Sequence, residues 1–165
     1  MPDDSTVVVA DSGPLIALAG ADALGLLHAL FHRVVVPRAV LDEILAPPTG
    51  RPGSSAVRAA SWIEVAETVS TADPLLTASL DHGEAAVIAL ARSMPGATVL
   101  LDERRGRQIA VTIYGLEVVG TVGILIRSKR AGLLPALQPV LESIVRNGYF
   151  LSDPLVRHAL SAVDE

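Results

Sequence analysis

Three short apolar runs, "TVVVA" at residues 6–10, "RVVVP" at 33–37 and "TVLL" at 98–101, constrain this chain more than any other feature. Their apolar residues are mostly β-branched and lie on consecutive positions rather than alternate ones, so each run predicts a strand covered on both faces. Cover on both faces requires helices above and below, and the intervening sequence supplies them. After the turn Ser12-Gly13-Pro14, "LIALAGADALGLLHALF" carries helix formers at helical spacing, is interrupted near Gly20, and predicts one or two helices. Pro37 is expected in the first turn of the next helix, "RAVLDEILA", where its missing N–H costs nothing, and "PPTGRPGSS" ends that helix in a loop. A helical turn at 56–60 and a third strand, "WIEVA" at 62–66, follow. The alanine-rich "DHGEAAVIALARS" predicts a helix starting near Gly83, "RRGRQIAVTIYG" another, and "LEVVG" a last short strand. The remainder reads as helix with turns at Pro135, Gly148 and Pro154. Strands alternating with helices imply crossover connections and therefore parallel pairing. The expected class is α/β, with a central parallel sheet flanked by helices.

With 165 residues, half of them apolar, the chain fits one domain with a single core and is not a disordered one. No apolar run approaches the ~20 residues of a membrane helix. The acidic start "MPDDST" lacks the basic flank of a signal peptide, so a soluble, cytoplasmic protein is expected. The absence of cysteine removes disulfides and thiolate metal sites, leaving oxygen and imidazole ligands. His28, His32, His82 and His158 show no zinc-site spacing. A net charge of −5 has the wrong sign for a nucleic-acid binder, but the charge is unevenly spread. Arg104, Arg105, Arg107, Arg127, Lys129 and Arg130 face a single acid, Glu117, across that segment.

Ligands of open parallel sheets bind beyond the carboxyl ends of the strands. Asp11 directly follows the first strand and Asp102 follows "TVLL"; Glu43 lies about two turns into the helix after the second strand, and Glu84 opens the helix before the fourth. Four carboxylates could thus meet at one sheet edge. Two of them ~4 Å apart repel by roughly 4 kcal/mol at an effective dielectric of ~20, so the cluster needs a neutralising partner. A hard divalent cation is the partner best suited to chemistry on phosphates. Each residue also has a plainer role: Asp11 and Asp102 as turn or helix caps, Glu84 as a helix-dipole acid, Glu43 as an exposed helix acid, the arginines as a solvated face, and Trp62 as core or interface.

Taken in order, "VVVADSGPLIALA", "VVVPRAVLDEIL", "LDHGEAAVIALA" and "TVLLDERRGRQIA" resemble the PIN-domain family, specifically its short bacterial and archaeal members related to the ribonuclease toxins of type II toxin–antitoxin modules. The resemblance spans about residues 6–131, leaving 132–165 as a C-terminal helical segment of one PIN-like domain. It implies a three-layer α/β/α fold with four or five parallel strands, and an acidic edge holding Mg²⁺ or Mn²⁺ for hydrolysis of RNA phosphodiesters. It makes Asp11, Glu43, Glu84 and Asp102 the catalytic acids, with Asp11, Asp102 and Glu84 on the metal. Many relatives have Asp where this chain has Glu84, which reaches one methylene further. Glu103 is a possible extra ligand, its side chain aimed elsewhere by its place beside Asp102. Ser12 matches a small hydroxyl residue after the first acid, and Arg104 and Arg107, sharing one helix face, lie where an RNA backbone would pass, with Arg105 pointing away. An antitoxin partner is implied, and the apolar surplus of the first-half helices predicts a homodimer. The rival reading is a catalytically weak or inactive PIN-like protein that binds RNA or an antitoxin. A response-regulator-like or nucleotide-binding domain is disfavoured because no Gly-rich phosphate loop follows the first strand.

Overall fold

The computed structural model describes residues 6–48, 50–67, 70 and 73–165. Its centre is a five-stranded sheet of β1 (Val7–Ala10), β2 (Arg33–Pro37), β3 (Ile63–Ala66), β4 (Thr98–Leu100) and β5 (Glu117–Val119). The order is β3-β2-β1-β4-β5, and every neighbouring pair is parallel. The consecutive apolar positions serve the purpose their pattern implies: Val8, Val9, Ala10, Val36, Val99 and Leu100 are all fully buried. Each buried Val or Leu contributes roughly 1.5–3 kcal/mol against the entropy of ordering the chain.

The helices are α1 (Ser12–Gly20), α2 (Gly25–Leu30), α3 (Arg38–Leu45), α4 (Ser54–Ala59), α5 (Pro74–Ser79), α6 (His82–Arg92), α7 (Arg104–Thr112), α8 (Thr121–Arg130), α9 (Gln138–Arg146) and α10 (Asp153–Ala162). Together with the sheet they form a three-layer α/β fold. Leu15, Leu18, Leu27, Val87 and Ile88 of these helices have no exposed surface and join the core over the sheet.

Two prolines sit differently from expectation. Pro37 closes β2 with an extended backbone (ψ 145°) and caps α3 instead of entering its first turn. Pro154 lies inside the first turn of α10, behind the Ser152 cap, where its fixed φ suits the helix. The short α5 was not anticipated. Asp73 caps it by accepting the Leu75 N–H at 2.9 Å and is itself tied down by the Tyr114 hydroxyl at 2.6 Å and Arg92 at 3.1 Å. Those partners lie far along the chain, so local propensity gave little sign of them.

The C-terminal layer matters because it delivers one side chain to the sheet edge. Leu141 and Ile144 of α9 and Ala159 of α10 enter the common core. Glu165 accepts the Leu137 and Gln138 N–H groups at 2.8–2.9 Å, filling otherwise orphaned donors at the start of α9. Asn147 Nδ2 donates to the Gly20 carbonyl at 2.8 Å, pinning the far end of α9 against α1. Beyond it Gly148, at φ 90°, turns the chain back toward the sheet, a conformation glycine adopts without a Cβ penalty.

Candidate active site

The chain leaves β1 toward β2 and β3 on one side and returns to β4 and β5 on the other, so the crevice of this sheet opens between the carboxyl ends of β1 and β4. Asp11 is the first residue past β1, and its N–H donates to the Leu100 carbonyl at 3.0 Å. Although it occupies the cap position of α1, its side chain makes no capping hydrogen bond to that helix. The residue is only 8% exposed. Burial is the main cause that pushes its pKa up to about 7; the Ser12 amide opposes this, and the charges of Asp81, Glu84 and Glu43 add to it. A turn cap would not need such an environment.

The acids converge over Gly83. A methyl group added there would meet Glu43 Oε2 at 2.9 Å and the Oδ1 atoms of Asp11 and Asp81 at 3.6 Å. Three carboxylates from separate segments therefore share the space that a side chain would fill. Glu84, also 8% exposed, closes a reciprocal cap: Asp81 Oδ1 accepts the Glu84 N–H at 2.8 Å and Glu84 Oε2 accepts the Asp81 N–H at 3.3 Å. Burial, then the charge of Asp81, raises the Glu84 pKa, with Glu103 and Glu43 contributing less. Gly83→Ala is expected to keep or slightly raise stability, since alanine is favoured in a helix by about 1 kcal/mol. The new methyl would meet Glu43 Oε2 at 2.9 Å, so the flexible end of that side chain must give way. Thermal melts check this; a variant that melts well below wild type would show that the Glu43 carboxylate cannot give way.

Asp102 is held differently. Its Oδ1 accepts the Thr121 N–H at 2.8 Å, and its Oδ2 accepts the Thr121 hydroxyl at 2.5 Å and the Tyr149 hydroxyl. Burial, followed by the Asp102 charge, drives the Tyr149 pKa up, so its O–H remains a donor at every working pH. The charge of Asp11 acts on the same tyrosine, and a methyl at Gly13 would meet its hydroxyl at 3.2 Å. Tyr149 thus stands between the Asp102 side of the crevice and the start of α1. Gly120 gives close access here: an added methyl would meet Arg107 Nη1 at 2.5 Å and Asp102 Oδ1 at 2.7 Å.

The structure brings Asp11, Glu43 and Glu84 together, and sets Asp102 at the neighbouring strand end, one residue beyond the pair Asp11 would make with β4. Ser12 is half-buried at the start of α1. Arg107 reaches the Asp102 side, donating to the Leu101 carbonyl at 3.3 Å, whereas Arg104 and Arg105 are exposed on the first turn of α7. Glu103 caps α7 by accepting the Arg105 and Gly106 N–H groups at 3.0 and 2.7 Å. Trp62 is half-buried against the core and stacks on His28, their rings 4.9 Å apart.

Asp81, Thr121 and Tyr149 were not singled out from the sequence. Asp81 had a signal, because Asp-x-x-Glu before an apolar run marks a capping box. Thr121 follows Gly120, the residue just past β5, a strand-end position like those of Asp11 and Asp102. Tyr149 had none.

Among the described residues, no group of three or more His, Cys, Asp or Glu side chains is placed so that it could hold a metal ion. The donor set is nevertheless all oxygen, and among the described residues no ion pair involves Asp11, Glu43, Asp81 or Glu84. An open group of carboxylates suits Mg²⁺, which binds through one or two of them and keeps several waters. Among the described residues, no helix is long and apolar enough to cross a membrane.

No curated protein matches the chain. A family model described as a PIN domain does match, over residues 7–165, taking in the C-terminal layer that carries Tyr149 as well as the strands that carry the acids. With all five strands and every acid of the crevice inside that match, the chain belongs to the PIN-domain family.

Proposed function

We propose that this chain is a divalent-metal-dependent endoribonuclease that hydrolyses RNA phosphodiester bonds, acting as the toxin of a toxin–antitoxin module. PIN domains are typically nucleases. The observation that carries the finer reading is Asp11: a buried carboxyl, with three further acids acting on it, whose ionised form is disfavoured in the protein alone. Such an arrangement is costly for the fold and useful when a cation arrives.

Asp11, Asp102 and Glu84 would hold Mg²⁺ or Mn²⁺, with Glu43 and Asp81 completing the acidic wall. When bound, the ion would stabilise charge on the phosphate and lower the pKa of the attacking water. Thr121 and Tyr149 load Asp102 Oδ2 with two donors and leave Oδ1 with one, so Oδ1 keeps the freer lone pair. Arg107, beside Asp102, binds the substrate's phosphate. Ser12, at the amino end of α1, offers its hydroxyl to the same strand. An antitoxin partner and a homodimer belong to this proposal. The purified chain is expected to cut RNA with Mg²⁺ or Mn²⁺ and to stop on addition of a chelator. Cleavage unaffected by chelation, or none with any divalent metal, would overturn it.

A further inference from the structure

The chain contains a single asparagine, Asn147, and a glycine follows it. In a flexible peptide that pair is chemically labile: the glycine backbone nitrogen attacks the side-chain amide carbon, and with no Cβ on glycine little obstructs it. Ammonia leaves as a five-membered succinimide closes, and water opens the ring to aspartate or isoaspartate. No oxidant, metal or second enzyme takes part. The fold places this dipeptide at an exposed end of α9.

Three hydrogen bonds hold the reaction off there. Asn147 Nδ2 donates to the Gly20 carbonyl at 2.8 Å, which fixes the amide on α1. The Gly148 N–H, whose proton the attack must release, donates to the Val145 carbonyl at 2.9 Å, and the Tyr149 N–H donates to the Ile144 carbonyl at 3.2 Å. The two backbone bonds, with Gly148 at φ 90°, close the helix end as a Schellman turn. Within it Asn147 has ψ 1°, which turns the Gly148 nitrogen to the side of Asn147's own nitrogen and away from its Cβ. Ring closure therefore requires the turn to open and the amide to leave Gly20.

The product does not fit where the asparagine sat. Aspartate replaces the Nδ2 donor with an acceptor facing the Gly20 carbonyl oxygen, and isoaspartate routes the main chain through Cβ, which lengthens the turn by one atom. Tyr149 hangs on the same turn, and its hydroxyl reaches Asp102 from it. We propose that Asn147-Gly148 is a self-modification site guarded by the docking of α9: when the end of α9 lifts from α1 the succinimide forms, and the aspartate or isoaspartate it leaves prevents redocking. A reversible opening becomes a permanent one that takes Tyr149 away from Asp102. The inference does not rest on the nuclease reading, since neither RNA nor a metal takes part.

The test is incubation of the full chain in mildly alkaline buffer, followed by intact mass, which registers exchange of the amide NH₂ for OH. A digest assigns the change among Asn147, Gln108 and Gln138. Folded wild type is expected to convert at Asn147, at least about tenfold more slowly than the chain unfolded in urea, because the three hydrogen bonds must open first. Gly20→Ala separates the guard from the rest of the fold: its methyl would meet Asn147 Nδ2 at 3.1 Å and crowd the amide off, while alanine suits the end of α1. This variant should convert about 2- to 10-fold faster than wild type, the scale of one lost hydrogen bond, while melting close to it. Converted wild type, separated by its added negative charge, and Asn147→Asp should both lose protease resistance across 147–165 while the sheet keeps it. Equal rates in the folded and unfolded wild-type chain would show that the fold offers no guard. Conversion seen only in urea, or a Gly20→Ala protein no faster than wild type, would show that lifting of the helix end does not control the reaction. Either result overturns the proposal, as does converted protein whose 147–165 segment resists protease like the unconverted chain.

Discussion

Asp11→Asn should lower metal-dependent RNA cleavage by at least about 10²- to 10³-fold, the scale of losing one stabiliser of transition-state charge, while making the metal-free protein more stable. The two effects have one cause. An unfolded aspartate titrates near 3.8, whereas in the folded protein burial and three neighbouring acids hold Asp11 near 7. Between those values the folded state binds the extra proton. The contribution of this group to stability therefore falls as pH rises from about 4 to 7, and the full penalty, about 4 kcal/mol at most, applies above pH 7. Asparagine keeps the shape and removes the charge. The melting temperature of the variant should exceed that of wild type by several degrees at pH 8, with the gap closing toward pH 4. Added Mg²⁺ should reverse the order of benefit, stabilising wild type more than the variant, because only wild type gains a full ligand set. Melting curves across pH, with and without Mg²⁺, check both halves. Near-normal cleavage by a folded Asp11→Asn protein would remove this residue from the site, and parallel pH–stability curves would deny the buried charge.

Much of the fold was legible because it is encoded locally. Runs such as "VVVA" and "RVVVP" can be buried on both faces only inside a covered parallel sheet, and once the strands are parallel their carboxyl ends, with Asp11 and Asp102, share an edge. Glu43 and Glu84 could be placed near it from helix position alone. Gly83 was read only as a helix start, whereas its missing side chain is the space three carboxylates share. Helical spacing pairs Arg104 with Arg107; in the structure Arg107 donates to the Leu101 carbonyl on the Asp102 side, while Arg104 is exposed on the first turn of α7. The partners of Asp102 were least legible of all. Thr121 lies 19 residues away and Tyr149 lies 47 away. Tyr149 is aimed by the docking of α9, through Asn147 on Gly20 and Glu165 on the start of that helix, and no periodicity in the sequence reports those contacts.

Tyr149→Phe isolates what that distant residue does. The substitution keeps the ring, whose edge packs by Gly13, and deletes only the hydroxyl that donates to Asp102 Oδ2. Thr121 still holds Asp102 with two donors, so the carboxylate stays near its place but is less firmly fixed. Losing one hydrogen bond to a charged acceptor should cost about 1.5–3 kcal/mol of stability. If Tyr149 orients a metal-holding carboxylate, the loss should also reach the ion, and removal of such a supporting partner typically costs about 10- to 100-fold in metal affinity or activity. The expected result is weaker Mn²⁺ binding by calorimetry together with slower cleavage, the latter partly recovered at high metal concentration. Tyr149→Ala should lose more stability, because the ring goes too, yet lose metal affinity to a similar degree. A Tyr149→Phe protein that melts earlier but binds Mn²⁺ and cleaves like wild type would make the tyrosine an anchor for the C-terminal layer alone. The outcome decides whether that layer belongs to the catalytic machinery, since Tyr149 is its only side chain among the described residues that hydrogen-bonds a crevice carboxylate.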